Sequence, residues 1–77
     1  MRFDVVLREG DETTQHDVTV SERDLERLGA GRSPEAFVRD CFGFLLRHEP
    51  KESILPSFDV SAIGRYFPGF EREIAGG

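Results

Sequence analysis

The sequence predicts an α+β fold: an N-terminal antiparallel β-hairpin, then three to four helices packed on it, with dimerisation completing the core. Three observations carry that expectation. Residues 2–8 and 13–20 alternate apolar and polar side chains on either side of a glycine-bearing turn. Residues 34–48 place apolar side chains at helical spacing between Ser33-Pro34 and Pro50. Helical spacing returns beyond residue 59, where a larger sheet would need more strands. Of the 77 residues, 22 are Phe, Val, Leu or Ile, roughly 29%, above the ~20% below which charged chains stay disordered. Residues 1–77 therefore read as one small folded domain.

In the first strand Phe3, Val5 and Leu7 share one face, while Arg2, Asp4 and Arg8 take the other. Glu9-Gly10-Asp11-Glu12 is the turn, since Gly10 adopts a positive φ at no steric cost. In the second strand Thr14, His16, Val18 and Val20 oppose Gln15, Asp17 and Thr19, and that weaker apolar face suits a sheet edge. Ser21 with Asp24 resembles a capping box for a short helix over 22–28, which Gly29-Ala30-Gly31 ends. Ser33 as N-cap, Pro34 at the first helical position and Glu35 in the first turn open the central helix. Phe37, Cys41, Phe44, Leu45 and His48 run along one stripe of it, Val38, Phe42 and Leu46 widen that stripe, and Phe37, Cys41, Phe42 and Leu45 are expected to be buried. Pro50 closes it by pushing Glu49 out of the α region. Ile54-Leu55-Pro56 suits an extended segment, and Ser57 or Asp59 can cap a third helix through Val60 and Ile63. Pro68 opens a last helical turn carrying Phe67, Phe70 and Ile74, and 75–77 reads as a frayed tail.

The net charge is −5, with the acids concentrated in residues 1–31. Nine of the ten basic residues are Arg, and they are scattered. Nucleic-acid affinity rests on clustered cations that neutralise phosphates, so nucleic acid is an unexpected partner. No apolar run reaches the ~18 residues of a membrane span, and none follows Met1 as a secretory signal would. With a single Cys, the expectation is a cytoplasmic protein with no membrane association.

The stretch Phe44-Leu45-Leu46-Arg47-His48-Glu49-Pro50-Lys51-Glu52-Ser53-Ile54-Leu55-Pro56-Ser57-Phe58-Asp59, continuing to Ile63, Tyr66-Phe67-Pro68 and Glu71–Ile74, resembles small prokaryotic proteins with an FLLxxEPKxSIL…FD…YFP pattern. That family has no established biochemical function. The resemblance implies a self-contained domain that commonly begins with a hairpin, and it assigns no catalytic or binding residue. The ending Gly76-Gly77 behind a hairpin and a helix is similar to ubiquitin-like and sulfur-carrier proteins, whose terminal Gly-Gly carboxylate is activated. Those folds need further strands after the main helix, whereas residues 70–74 have helical spacing.

No catalytic, cofactor or metal residues are expected. Cys41 and His48 lie two helical turns apart, roughly 10 Å along the axis, too far to share one metal. Cys41 among phenylalanines reads as an inert core thiol, and His48 as a helix-end cation. His16 and Asp17 point to opposite faces of a strand and form no dyad. The acids Asp11, Glu12, Glu22, Asp24 and Glu26 lack the pattern of a calcium loop.

The expected function is therefore a non-enzymatic protein-interaction or self-associating module, for instance an antitoxin-like regulatory partner. Its candidate interface is Phe37, Phe44, Phe58, Tyr66, Phe67 and Phe70, because the 34–48 helix is broader on its apolar side than a hairpin can cover. The expected contact is a salt-insensitive homodimer. A dimeric DNA-binding regulator is the alternative, recognisable if Arg2, Arg8, Arg65 and Arg72 gather on one face. A Gly-Gly modifier is a second alternative.

Overall fold

The computed structural model describes residues 1–76. Strands β1 (Arg2–Glu9) and β2 (Glu12–Thr19) form the expected antiparallel hairpin, in register from Arg2↔Thr19 to Glu9↔Glu12. The loop is the two residues Gly10-Asp11, with Gly10 at φ 62° in the position that II′ hairpins assign to glycine. Phe3, Val5, Leu7, Thr14, His16 and Val18 share the inner face, as their alternation requires.

Helix α1 (Glu22–Leu28) starts at Ser21, whose Oγ accepts the Asp24 amide hydrogen bond at 3.0 Å. A side chain at Gly29 would overlap the Leu25 carbonyl oxygen, and Ala30 and Gly31 follow at φ 51° and 80°. Helix α2 (Pro34–His48) has the expected bounds. Ser33 Oγ accepts from the Ala36 amide at 3.2 Å, and Glu49 leaves the helix in extended conformation ahead of Pro50.

After a 3₁₀ turn over Lys51–Ser53 comes β3 (Ser57–Asp59), parallel to β2. The sheet order is β1-β2-β3, so β2 is the central strand and not the edge that its composition suggested. The reason is tertiary: the Pro50–Pro56 crossover brings the chain back beside β2, where the Asp17 amide donates to Pro56 O at 2.8 Å. Asp59, not Ser57, supplies the cap, its Oδ1 accepting from the Ser61 amide at 2.9 Å. It opens a 3₁₀ turn, Val60–Ala62, that runs into the one-turn helix α3 (Ile63–Tyr66). Helix α4 (Phe70–Gly76) takes in Ala75 and Gly76, which had been expected to fray, while Gly77 lies outside the described residues.

Helix α2 is the middle layer. Phe42 meets His16 and Phe58 of the sheet at ring-centroid distances of 5.5 and 5.8 Å. On another side Phe44 packs edge-on against Phe70 at 5.1 Å and Phe67 at 5.8 Å. Helix α4 lies against both α1 and α2. The broad apolar face of α2 is therefore covered within the chain, and its burial does not require dimerisation.

Candidate functional site

The six residues expected at an interface divide in two. Phe37, Phe44 and Phe70 are core residues, Phe44 lying against Phe70 of α4, so they present nothing to a partner. Phe58 and Phe67 are half-buried and Tyr66 is 70% exposed. These last three lie together on a groove of about 410 Å³ between the end of α2, the crossover and α3. Leu45, Ile54, Leu55, Ala62 and Ile63 complete its apolar lining, and Glu49 and Ser53 are its polar members. Leu55 and Tyr66 stand exposed beside it, Leu55 by 51%. Local sequence sets the limits of the segment: Pro50 ends α2, and Asp59 restarts helical structure immediately beyond β3.

Two polar anchors hold the crossover in place: Lys51, which the sequence reading did not single out, and His16, for which it expected no such role. Lys51, only 4% exposed, sends its ammonium to Glu52 at 2.6 Å, Glu12 at 2.9 Å and Glu9 at 3.2 Å. The hydrogen bonds it donates to Glu52 and then Glu12 hold its pKa above the ordinary lysine value. Amine nucleophiles need the opposite shift, so Lys51 is a clasp between the hairpin turn and the crossover. His16, 3% exposed, bonds Leu55 O through Nδ1 at 2.8 Å and Thr14 Oγ1 through Nε2 at 3.0 Å. The available signal was positional: a lone Lys between two prolines, and a His on the apolar face of a strand.

A third anchor ties the helices. The Arg32 guanidinium donates to Gly29 O at 2.7 Å, Leu28 O at 3.0 Å and Ile74 O, and pairs with Asp40 at 2.8 Å. It lies over the Phe37 ring, 5.6 Å from its centroid. Orphan carbonyls at the end of α1 and near the end of α4 are thereby satisfied.

The remaining candidates stand apart. Burial pushes the Cys41 thiol up to about 12, which suits packing and not attack. His48 is exposed and stacks on Phe44 at 4.4 Å and Phe67 at 5.3 Å. Among the described residues no group of three or more His, Cys, Asp or Glu is placed to hold a metal ion. No helix among them is long and apolar enough to cross a membrane.

Arg2 and Arg8 lie on the open face of the sheet with Asp4 and Asp17, whereas Arg65 belongs to α3 and Arg72 to α4. Arg2, Arg27, Arg32 and Arg47 pair with Asp17, Glu71, Asp40 and Glu73 respectively. No protein-family model matches the chain, and no curated protein or solved structure matches it either.

Proposed function

We propose that this chain is a non-catalytic protein-interaction module whose groove receives the apolar face of an amphipathic helix with a basic flank. One observation carries the reading: Leu55 and Tyr66 stand exposed beside an apolar trough that the fold leaves uncovered. Charge selects the occupant. Glu49 lines the trough and the chain carries a net charge of −5, so a cationic flank is complementary. A small-molecule site would need several convergent polar groups to orient its ligand, and the lining supplies Glu49, Ser53 and little else. The interleaving of Arg with Asp on the sheet, and the separate placement of Arg65 and Arg72, speak against a DNA-binding surface. The FLLxxEPKxSIL…FD…YFP pattern falls on the Lys51 clasp and on groove residues Leu45, Ile54, Leu55, Phe58, Tyr66 and Phe67, so proteins that carry it would share both features.

The test is a titration of ¹⁵N-labelled protein with a synthetic Leu/Lys amphipathic helical peptide, beside a Leu/Glu counterpart. The Leu/Lys peptide is expected to shift amide resonances of Leu45, Leu55, Phe58 and Tyr66, and the Leu/Glu peptide to leave them in place. Leu55→Asp, at an exposed position, should keep the fold and abolish the shifts. Shifts confined to the open sheet face, or unchanged in Leu55→Asp, would overturn the proposal.

A further inference from the structure

We propose that β1 pairs antiparallel with β1 of a second copy, about a two-fold axis through Val6, to give a continuous six-stranded sheet. Strand β1 is an edge of the sheet, and it runs eight residues without proline. Natural edges of that length are usually shortened, bulged or covered, because their unpaired amides and carbonyls template further pairing. The inner face of this edge is also unfinished: Phe3, Val5 and Leu7 pack on the core yet stay only half-buried. On the outer face Val6 is 54% exposed.

The backbone phase fixes which residues can bond outward. A two-residue turn makes Glu9↔Glu12 a hydrogen-bonded pair, so the odd residues Phe3, Val5, Leu7 and Glu9 exchange their bonds with β2. The same phase continues to the Val20 amide, which donates to Met1 O at 2.7 Å. Arg2, Asp4, Val6 and Arg8 therefore direct their N–H and C=O groups away from β2, along the free edge.

Charge and overlap together select the register: an axis on Phe3 also opposes Arg2 to Asp4 twice but pairs only residues 1–5, and an axis on Leu7 opposes no charges of opposite sign. Centring the axis on Asp4 or Arg8 sets like charges opposite each other, and centring it on Val5 opposes Arg2 to Arg8. Centring it on Val6 opposes Asp4 to Arg8 twice, stacks Val6 on Val6, and brings Val5 beside Leu7 on the inner face. Every one of these pairs is in the hydrogen-bonded phase or directly adjacent to it. At ~3.3 Å per residue the seven paired residues 3–9 span about 23 Å, and a contact one strand edge wide is smaller than the ~800 Å² per chain of a standard interface. A weak, concentration-dependent dimer follows. The groove lies at the β3 side of the sheet, so the dimer would carry one groove at each end, although the pairing does not depend on any groove ligand.

Sedimentation from 10 µM to 1 mM tests the pairing, with charge-swap variants at exposed positions. Wild type is expected to dimerise across that range. Asp4→Arg and Arg8→Asp should each weaken the dimer at least ~10-fold, and an equimolar mixture of the two should restore it, because each chain then offers what the other lacks. Val6→Pro removes only an outward amide and should also give a monomer. Val6→Cys should form a disulfide-linked dimer on oxidation, since directly opposed hydrogen-bonded positions lie ~5.5 Å apart. A wild-type monomer at 1 mM overturns the proposal. So does a dimer indifferent to both charge reversals, or a mixture of the two variants that stays monomeric.

Discussion

The two flanks of α2 are held together by different means. Before α2 in the chain, the β1–β2 hairpin pairs over a continuous register from Arg2↔Thr19 to Glu9↔Glu12. After α2 in the chain, residues 50–76 form a three-residue strand that joins the hairpin's sheet, two 3₁₀ turns, a one-turn helix and a seven-residue helix. Elements so short gain little from their own hydrogen bonds, because helix nucleation is unfavourable. Long-range side-chain contacts position them: Lys51 reaching the hairpin turn, His16 holding Leu55 O, Arg32 holding Ile74 O, and Arg27 paired with Glu71. The lesson is that the segment forming the groove is organised by long-range polar contacts, while the hairpin is organised by its own sequence.

The largest effect expected lies where both flanks meet. Phe42→Ala strips the sheet side of α2 and Phe44→Ala the helical side. Each should cost roughly 3–5 kcal/mol, as truncation of a buried Phe does, in a domain with only about 5–15 kcal/mol in hand. Urea melts measure this, and a loss below ~1 kcal/mol for Phe42→Ala would refute its place in the core. Hydrogen exchange sharpens the contrast: Phe44→Ala should release α4 amides before those of β1 and β2.

Arg32→Ala comes next. It leaves the Leu28, Gly29 and Ile74 carbonyls without their charged donor, and the expected loss is about 2 kcal/mol. Arg32→Lys should recover little of it, since one ammonium cannot reproduce the planar fork. Equal stability of Arg32→Ala and wild type would show that α4 is held by apolar packing alone.

The acid response should be shallower. Hydrogen bonds from Arg2, Lys51 and Arg27 hold the carboxyls of Asp17, Glu52 and Glu71 below their ordinary values. A carboxyl depressed in the fold stabilises it above the unfolded value of about 3.9–4.3 and loses that contribution as pH falls through the folded value. Lys51 has the opposite sign: its raised pKa contributes at all pH below about 10.4 and fades only above. These groups therefore leave thermal stability level between roughly pH 5 and 10 and let it decline below about pH 4.5. Because the carboxylates are partly exposed, the decline should flatten in 1 M salt. A decline beginning near neutral pH would assign the control to other groups.

The smallest effects sit side by side after α1 and differ in sign. Gly29→Ala forces a Cβ onto the Leu25 carbonyl and should cost about 1–3 kcal/mol. Ala30→Gly relieves a left-handed residue at φ 51°, worth roughly 1–2 kcal/mol, against a glycine entropy cost of about half that. A net gain below ~1 kcal/mol is expected in the same melts, and a loss would show that Ala30 makes a contact worth more than its strain.

By itself the sequence determined what depends on neighbours along the chain. Alternation set the inner face of the hairpin, Gly10 set its turn, and Ser33-Pro34 and Pro50 set both ends of α2. Asp59 could be read as a cap because its oxygen acts two residues away. The tertiary structure alone decided that β2 is central, that Phe37, Phe44 and Phe70 are interior, and that Phe58, Tyr66 and Phe67 share a groove. Helical spacing states that a side chain is on an apolar face, and it is silent on which element will cover that face. The cover here is α4, delivered by a crossover whose anchors lie 42 residues apart for Lys51 and Glu9 and 39 for His16 and Leu55. Periodicity carries no information over such separations, because the contact is set by how the whole chain closes on itself.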